Sequence, residues 1–128
     1  MKYLLDTHIF LWWITDNIKL QRSTRDLISD KGNKLFLSSA SLWEIMIKFK
    51  LNKIDLPENP KIYLKKQVEI NSINILNITM EHSLETFDLP EIHKDPFDRM
   101  LIAQARVEKL TIVTSDSFIK QYDVNTFY

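Results

Sequence analysis

The sequence predicts an α/β fold, a three-layer α/β/α sandwich on a mainly parallel central sheet. Three observations predict it. Short apolar runs alternate with longer helix-compatible segments along the whole chain. The runs are continuous, without the period-two alternation of a half-exposed sheet, as expected of strands covered on both faces. Apolar residues make up 45% of the 128 residues, enough for one unstapled core, so a single domain over residues 1–128 is expected.

The elements follow in order. Lys2 to Leu5 is a first strand, ended by Asp6. Thr7 to Thr15 reads as a helix that Asp6 or Thr7 can cap. Gln21 to Lys31 reads as a second helix, capped by Ser23 and stopped by Gly32. Lys34 to Ser38 is the next strand, and Ser39 or Ser41 opens a long helix over Leu42 to Leu51. Pro57 and Pro60 bound a loop; Lys61 to Asn71 is a helix, and Ile73 to Ile78 an apolar strand. Thr79 begins a short helix that stops near Pro90. Pro96 to Lys109 is a helix with a strong start signal, because Asp95 before Pro96 combines a favoured cap with a favoured first residue. Leu110 to Val113 is a strand, Ser117 to Gln121 a helical turn and Val124 to Phe127 a last strand.

Composition excludes several classes of function. Cysteine is absent, which removes disulfides, thiolate metal sites and a Cys nucleophile. Glycine occurs once, at Gly32, which removes the glycine-rich loops that cradle nucleotide phosphates. The longest apolar run, Ile9 to Ile14, has six residues, against about 20 for a bilayer span. Asp6 interrupts the N-terminus too early for a signal peptide. A cytoplasmic protein with no membrane partner is the expectation. The 17 basic residues are balanced by 17 acidic ones, so charge alone does not argue for nucleic acid. Nor does it argue against, since an acidic metal site lowers the count and its ion restores positive charge.

The acids are placed with more pattern than the bases. Ligands of an open parallel sheet bind beyond the carboxyl ends of its strands. Asp6 ends the first strand, and Asp116 follows a later one in Val113-Thr114-Ser115-Asp116. Glu44 lies early in the helix that follows the second strand. Asp95 and Asp98 open the helix at Pro96. Four or five carboxylates at one rim repel one another unless a cation lies between them. An oxygen-only donor set suits Mg²⁺ or Mn²⁺.

Each acid also has a structural reading. Asp95 is a cap, Asp98 a favourable charge in a first helical turn, Asp6 and Asp116 caps after strands, and Glu44 a partner of Ser41 in a capping box. Convergence at one rim favours a site over separate coincidences. His8, His82 and His93 lack the spacing of a zinc helix; His93, two residues before Asp95, either hydrogen-bonds substrate or, the favoured reading, is a surface-loop residue. Ser38, Ser39 and Ser41 lack a nucleophile elbow. Arg99 and Lys48 stand where they could touch flanking phosphates, or are solvated helix charges.

Four stretches resemble PIN-domain proteins, above all the VapC-like toxins of bacterial type II toxin–antitoxin systems. They are Leu4-Leu5-Asp6-Thr7-His8, Ser41-Leu42-Trp43-Glu44-Ile45, the long run from His93-Lys94-Asp95-Pro96-Phe97-Asp98-Arg99 to Ala105, and Val113-Thr114-Ser115-Asp116. They occur in the family's order and cover almost the whole chain, with little signal between Asn52 and Glu91. The resemblance implies a Mg²⁺- or Mn²⁺-dependent endoribonuclease. It maps an acidic quartet onto Asp6, Glu44, Asp98 and Asp116, with Asp6 and Asp98 as primary metal ligands and Asp95 additional. It also implies RNA as substrate, a small cognate antitoxin as partner and a homodimer.

Other functions are compatible with this architecture. A phosphoacceptor receiver expects paired acids at the first strand and a lysine after a late one, where this chain has a lone Asp6 and an acid, Asp116. A haloacid-dehalogenase-like phosphatase expects an Asp at position 8, where His8 stands. A catalytically inert binding module on the same fold has no need of the acids. The first helix adds an expectation about partners. Ile9 to Ile14 is apolar in every direction, so some side chains point away from the sheet. Either later helices or residues 17–20 cover them, or they form a groove for an antitoxin helix or a second copy of the chain, with Trp12 or Trp13 as anchor.

Overall fold

The computed structural model describes residues 1–128. Five strands form one sheet: β1 (Lys2–Leu5), β2 (Lys34–Ser38), β3 (Asn74–Leu76), β4 (Thr111–Val113) and β5 (Thr126–Phe127). Their order is β3-β2-β1-β4-β5, and every neighbouring pair is parallel. The expectation of a mainly parallel sheet is met in full. Strand order runs outward in opposite directions from β1 and β4, so the crevice of this doubly wound sheet opens beyond their carboxyl ends.

Six helices connect the strands: α1 (Thr7–Ile14), α2 (Arg22–Ser29), α3 (Ser39–Lys50), α4 (Pro60–Ile70), α5 (Met80–Glu85) and α6 (Pro96–Glu108). Alternate side chains of each strand enter opposite cores. Leu5, Leu35, Leu37 and Val113 pack with Ile9, Phe10, Leu27, Ile45 and Leu64 on one face. Leu4 and Ile112 pack with Leu101, Ile102, Ala105, Ile119 and Tyr122 on the other. These two cores lie between the sheet and the helical layer on either side of it.

Helix ends account for most departures from the expected elements. The second helix starts after Gln21, which makes no side-chain cap, and ends at Ser29 before Gly32 is reached. Ser23 is therefore not its cap. Ser38 caps α3 through the amide of Ala40, so that helix begins earlier than Leu42 and Ser41 lies inside it. Pro60 is the first residue of α4, with Asn59 as cap, instead of a loop boundary.

The all-round apolar first helix is largely covered from within. Ile9 and Phe10 are fully buried, and Leu11, Trp12, Trp13 and Ile14 pack against the same core. Trp13 Nε1 donates to Asn71 Oδ1 at 2.8 Å, and Tyr63 Oη donates to the Ile14 carbonyl at 3.2 Å. Helix α4 and its C-terminal cap are thus tied to α1, and Trp13 is engaged inside the chain.

With one glycine in the chain, left-handed backbone falls to other residues. Asp16, Asn52, Ser72 and Lys109 all have positive φ, and each follows a helix. Lys109, at φ 57°, ends α6 with its amide bonded to the Ala105 carbonyl. A side chain with a Cβ is disfavoured there by about 1–2 kcal/mol. Lys109→Gly is expected to stabilise the protein by up to about 1 kcal/mol after the entropic cost of glycine, read as a raised urea midpoint with an unchanged slope.

Candidate active site

The four acids of the expected quartet all lie at the carboxyl-end crevice between β1 and β4 or on the helices that start beside it. Asp6 is the first residue after β1 and is buried. Its Oδ1 accepts from the amide of His8 at 3.1 Å, capping α1. Its Oδ2 accepts from Thr114 Oγ1 at 2.6 Å, across to the end of β4. Thr114 Oγ1 in turn accepts from the amide of Asp116 at 3.0 Å. One threonine thereby orients both strand-end acids. Asp116 Oδ1 caps the following turn through the amide of Phe118 at 2.7 Å, which leaves Oδ2 for the crevice.

Asp98 enters from α6. Asp95 Oδ1 accepts from the amides of Phe97 at 2.9 Å and Asp98 at 3.4 Å, so the cap read from the sequence is present. It fixes Asp98 in the first turn, where the helix end favours a negative charge. Burial and the charges of Asp6 and Asp95 nevertheless push the Asp98 carboxyl up to about 7, against the opposing effect of His93.

Glu44 comes from α3, which is tied to the start of α1 by a 2.8 Å bond from Thr7 Oγ1 to Ser41 Oγ. The capping-box reading of Glu44 fails, because the helix begins at Ser39. Glu44 Oε2 accepts from Lys48 Nζ at 2.7 Å, while the buried Oε1 has no hydrogen-bond partner. A buried carboxylate oxygen without a partner is costly; together with the neighbouring acids it fits a bound cation. Lys48 is therefore engaged with Glu44, one helical turn away, instead of being an unpaired surface charge.

His93 belongs to this constellation, contrary to its reading as a surface-loop residue. Its Nε2 lies 2.7 Å from Asp98 Oδ2 and 3.8 Å from Asp116 Oδ2. These three side chains bring one donor atom each within 4.8 Å of the others. Asp6 stands beside that trio, near enough for its charge to act on Asp98. Glu44 and Lys48 lie near enough to His8 for both charges to act on it. The nearby Asp6 carboxylate raises the His8 pKa.

Arg99 is neither a phosphate contact nor a solvated charge. Its guanidinium donates to the carbonyls of Pro90 at 2.9 Å, His93 at 3.3 Å, Thr86 at 3.2 Å and Leu89 at 3.4 Å. A fifth bond reaches Tyr122 Oη at 3.4 Å. Arg99 holds the segment between α5 and α6 in one shape and carries His93 with it. An apolar groove of about 730 Å³ lies elsewhere, lined by residues of α3, α4 and β3 including Leu42, Met46, Leu64 and Val68. It contains none of the four acids.

Comparison with known proteins agrees with this geometry. The family model described as PIN domain matches residues 3–125. The structure resembles VapBC2 from Rickettsia felis, solved bound to a DNA fragment from its promoter, at a TM-score of 0.74 and 18% identity, covering 99% of this chain and 98% of that one. It resembles a toxin–antitoxin complex from Klebsiella pneumoniae at a TM-score of 0.67 and 16% identity, covering 98% and 96%. It resembles FitAcB from Neisseria gonorrhoeae at a TM-score of 0.67 and 17% identity, covering 98% and 96%. At these identities the likeness is one of fold. A search of curated proteins finds no match.

Two outcomes are expected from this geometry. A carboxyl raised above its unfolded value stabilises the folded state fully below about pH 4 and loses that contribution as pH rises through about 7. In chelator, the stability of the wild type relative to Asp98→Asn should fall across that interval and level off above it; thermal melts at successive pH values measure this. At the cap, Asp95→Ala should cost about 0.5–2 kcal/mol, and Asp95→Ser should keep most of the stability, as read by urea denaturation.

Proposed function

The chain belongs to the PIN-domain family, and on that premise we propose that it is a divalent-metal-dependent endoribonuclease, the toxin of a type II toxin–antitoxin pair. The observation that carries the reading is the clustering of Asp98 and Asp116 with His93 at the β1–β4 crevice, with Asp6 linked to Asp116 through Thr114 and close enough for its charge to act on Asp98; Glu44 on α3 holds a buried oxygen that no protein group satisfies. Asp6 and Asp98 are the primary ligands in this reading, and Glu44 and Asp116 complete the site directly or through water. Mg²⁺ or Mn²⁺ suits the carboxylate donors. A divalent ion held there lowers the pKa of a bound water and offsets charge on the phosphoryl oxygens.

The chain's own groups do the rest. Thr114 and the amide of His8 hold Asp6 in one orientation. Lys48 keeps positive charge against Glu44. His8, partly exposed beside Asp6, offers an imidazole N–H to a flanking phosphate. RNA is the substrate favoured by the family resemblance. Exposed Trp43, packed edge-to-face on Phe97 at 5.5 Å, adds an aromatic surface beside Glu44 and Asp98 of the kind on which unpaired bases stack.

The partners follow from the same reading. A small antitoxin protein is proposed because the similar structures are toxin–antitoxin complexes. A homodimer and a cytoplasmic location belong to the proposal as well. No helix is long and apolar enough to cross a membrane.

Purified protein should cleave single-stranded RNA with Mg²⁺ or Mn²⁺ and stop in excess chelator. Asp6→Asn, Asp98→Asn and Glu44→Gln should each reduce cleavage to background while unfolding cooperatively. Cleavage that persists in chelator, or at wild-type rates in Asp98→Asn, would overturn the proposal.

A further inference from the structure

We propose that His93 is itself a ligand of the divalent ion, through Nε2, and that this nitrogen makes the site prefer Mn²⁺ over Mg²⁺. The inference rests on the metal-dependent reading above and adds to it a residue outside the acidic quartet. Its basis is where Nε2 sits. A histidine that only orients a metal-binding carboxylate bonds it from outside the coordination sphere. Here Nε2 lies among the inward-facing oxygens, 2.7 Å from Asp98 Oδ2 and 3.8 Å from Asp116 Oδ2. Donors around an octahedral ion with bonds of about 2.1 Å stand roughly 3 to 4 Å apart. The 3.8 Å separation falls in that range, the 2.7 Å one is a hydrogen bond that an ion would open by a few tenths of an ångström, and all three donor atoms lie within 4.8 Å of one another.

The ring and its backbone are also held there from several sides. It stacks on Phe118 with centroids 5.0 Å apart and planes 23° apart. The His93 amide donates to Tyr122 Oη at 2.7 Å, and the His93 carbonyl accepts from Arg99. Four points of contact, counting Asp98, fix a residue that lies in a loop. Nδ1 has no hydrogen-bond partner within the protein, so the ring can keep its proton there and present the Nε2 lone pair to an ion. An imidazole donor favours transition-metal ions, whereas Mg²⁺ favours an all-oxygen shell. Exchanging one oxygen position for nitrogen therefore shifts selectivity toward Mn²⁺.

The test is pulsed electron paramagnetic resonance on the full chain loaded with Mn²⁺, which detects nitrogen bound directly to the ion. His8 is the other imidazole at the rim, so His8→Gln and His93→Gln are measured in parallel. The nitrogen coupling should appear in the wild type and in His8→Gln and vanish in His93→Gln. Mn²⁺ affinity should fall about tenfold or more in His93→Gln, with a smaller loss for Mg²⁺, so that the ratio of the two constants changes. Bound Mn²⁺ without nitrogen coupling in the wild type, coupling that survives in His93→Gln, or equal losses for both ions would overturn the role of His93 alone. A wild-type protein that binds no Mn²⁺ would overturn the metal-site reading itself. The wild-type spectrum decides the matter even where His93→Gln fails to fold.

Discussion

Like charges crowd the carboxyl end of this sheet, and much of the surrounding structure serves to keep them there. Asp6, Asp98 and Asp116 approach one crevice with Glu44 on the helix that follows β2, and burial, then the charges of Asp6 and Asp95, raise the Asp98 pKa, so the crowding carries a cost. Helix starts offset part of it. Asp6, Asp95 and Asp116 each give an oxygen to backbone amides at the beginning of a helix or helical turn, where the peptide dipoles favour negative charge. Thr114 adds a hydroxyl to Asp6. The parallel topology makes this possible, because every strand that ends at the crevice is followed by such a start.

The second requirement is a fixed wall opposite β1 and β4. It comes from the segment between α5 and α6, which has no regular structure after the 3₁₀ turn at Thr86–Asp88. Arg99 substitutes for a backbone ladder by gathering four of that segment's carbonyls. The bonds converge on one planar guanidinium whose donors have fixed directions, so the carbonyls are held in a defined arrangement. Tyr122, from the other end of the chain, bonds both Arg99 and the His93 amide. The position of His93 is thus decided by residues remote from it in sequence.

That remoteness explains what sequence reading could reach. The strand ends, the Asp95-Pro96 cap and the acids at the rim depend on neighbouring residues and on a topology that alternation alone predicts. Glu44 and Lys48 have the spacing of an i,i+4 pair, but from the sequence Lys48 reads as a phosphate contact or a solvated charge, and only the structure shows the pairing. His93 was not legible as a site residue, because its inclusion depends on Tyr122 and Phe118, both more than twenty positions away. Its only local signal was its place two residues before a capped helix carrying an acid. Arg99 was misread for a related reason. An arginine next to an acid in a site for polyanions looks like a substrate contact, and only the path of the preceding loop shows that its donors are already used.

Cap and metal ligand are not alternative fates for a strand-end aspartate. A carboxylate has two oxygens, and a helix start occupies one. In Asp116 the amide of Phe118 takes Oδ1, while Oδ2 faces His93. In Asp6 an amide and a hydroxyl hold one oxygen each, and each oxygen retains further lone-pair capacity. Asp95 uses Oδ1 to fix the turn from which Asp98 projects. The structural bond is what gives the remaining oxygen its direction, since an uncapped side chain would turn toward water and away from its like-charged neighbours. Weighing stability against function residue by residue therefore misstates the physics here: the caps hold the acids in the arrangement that a cation requires.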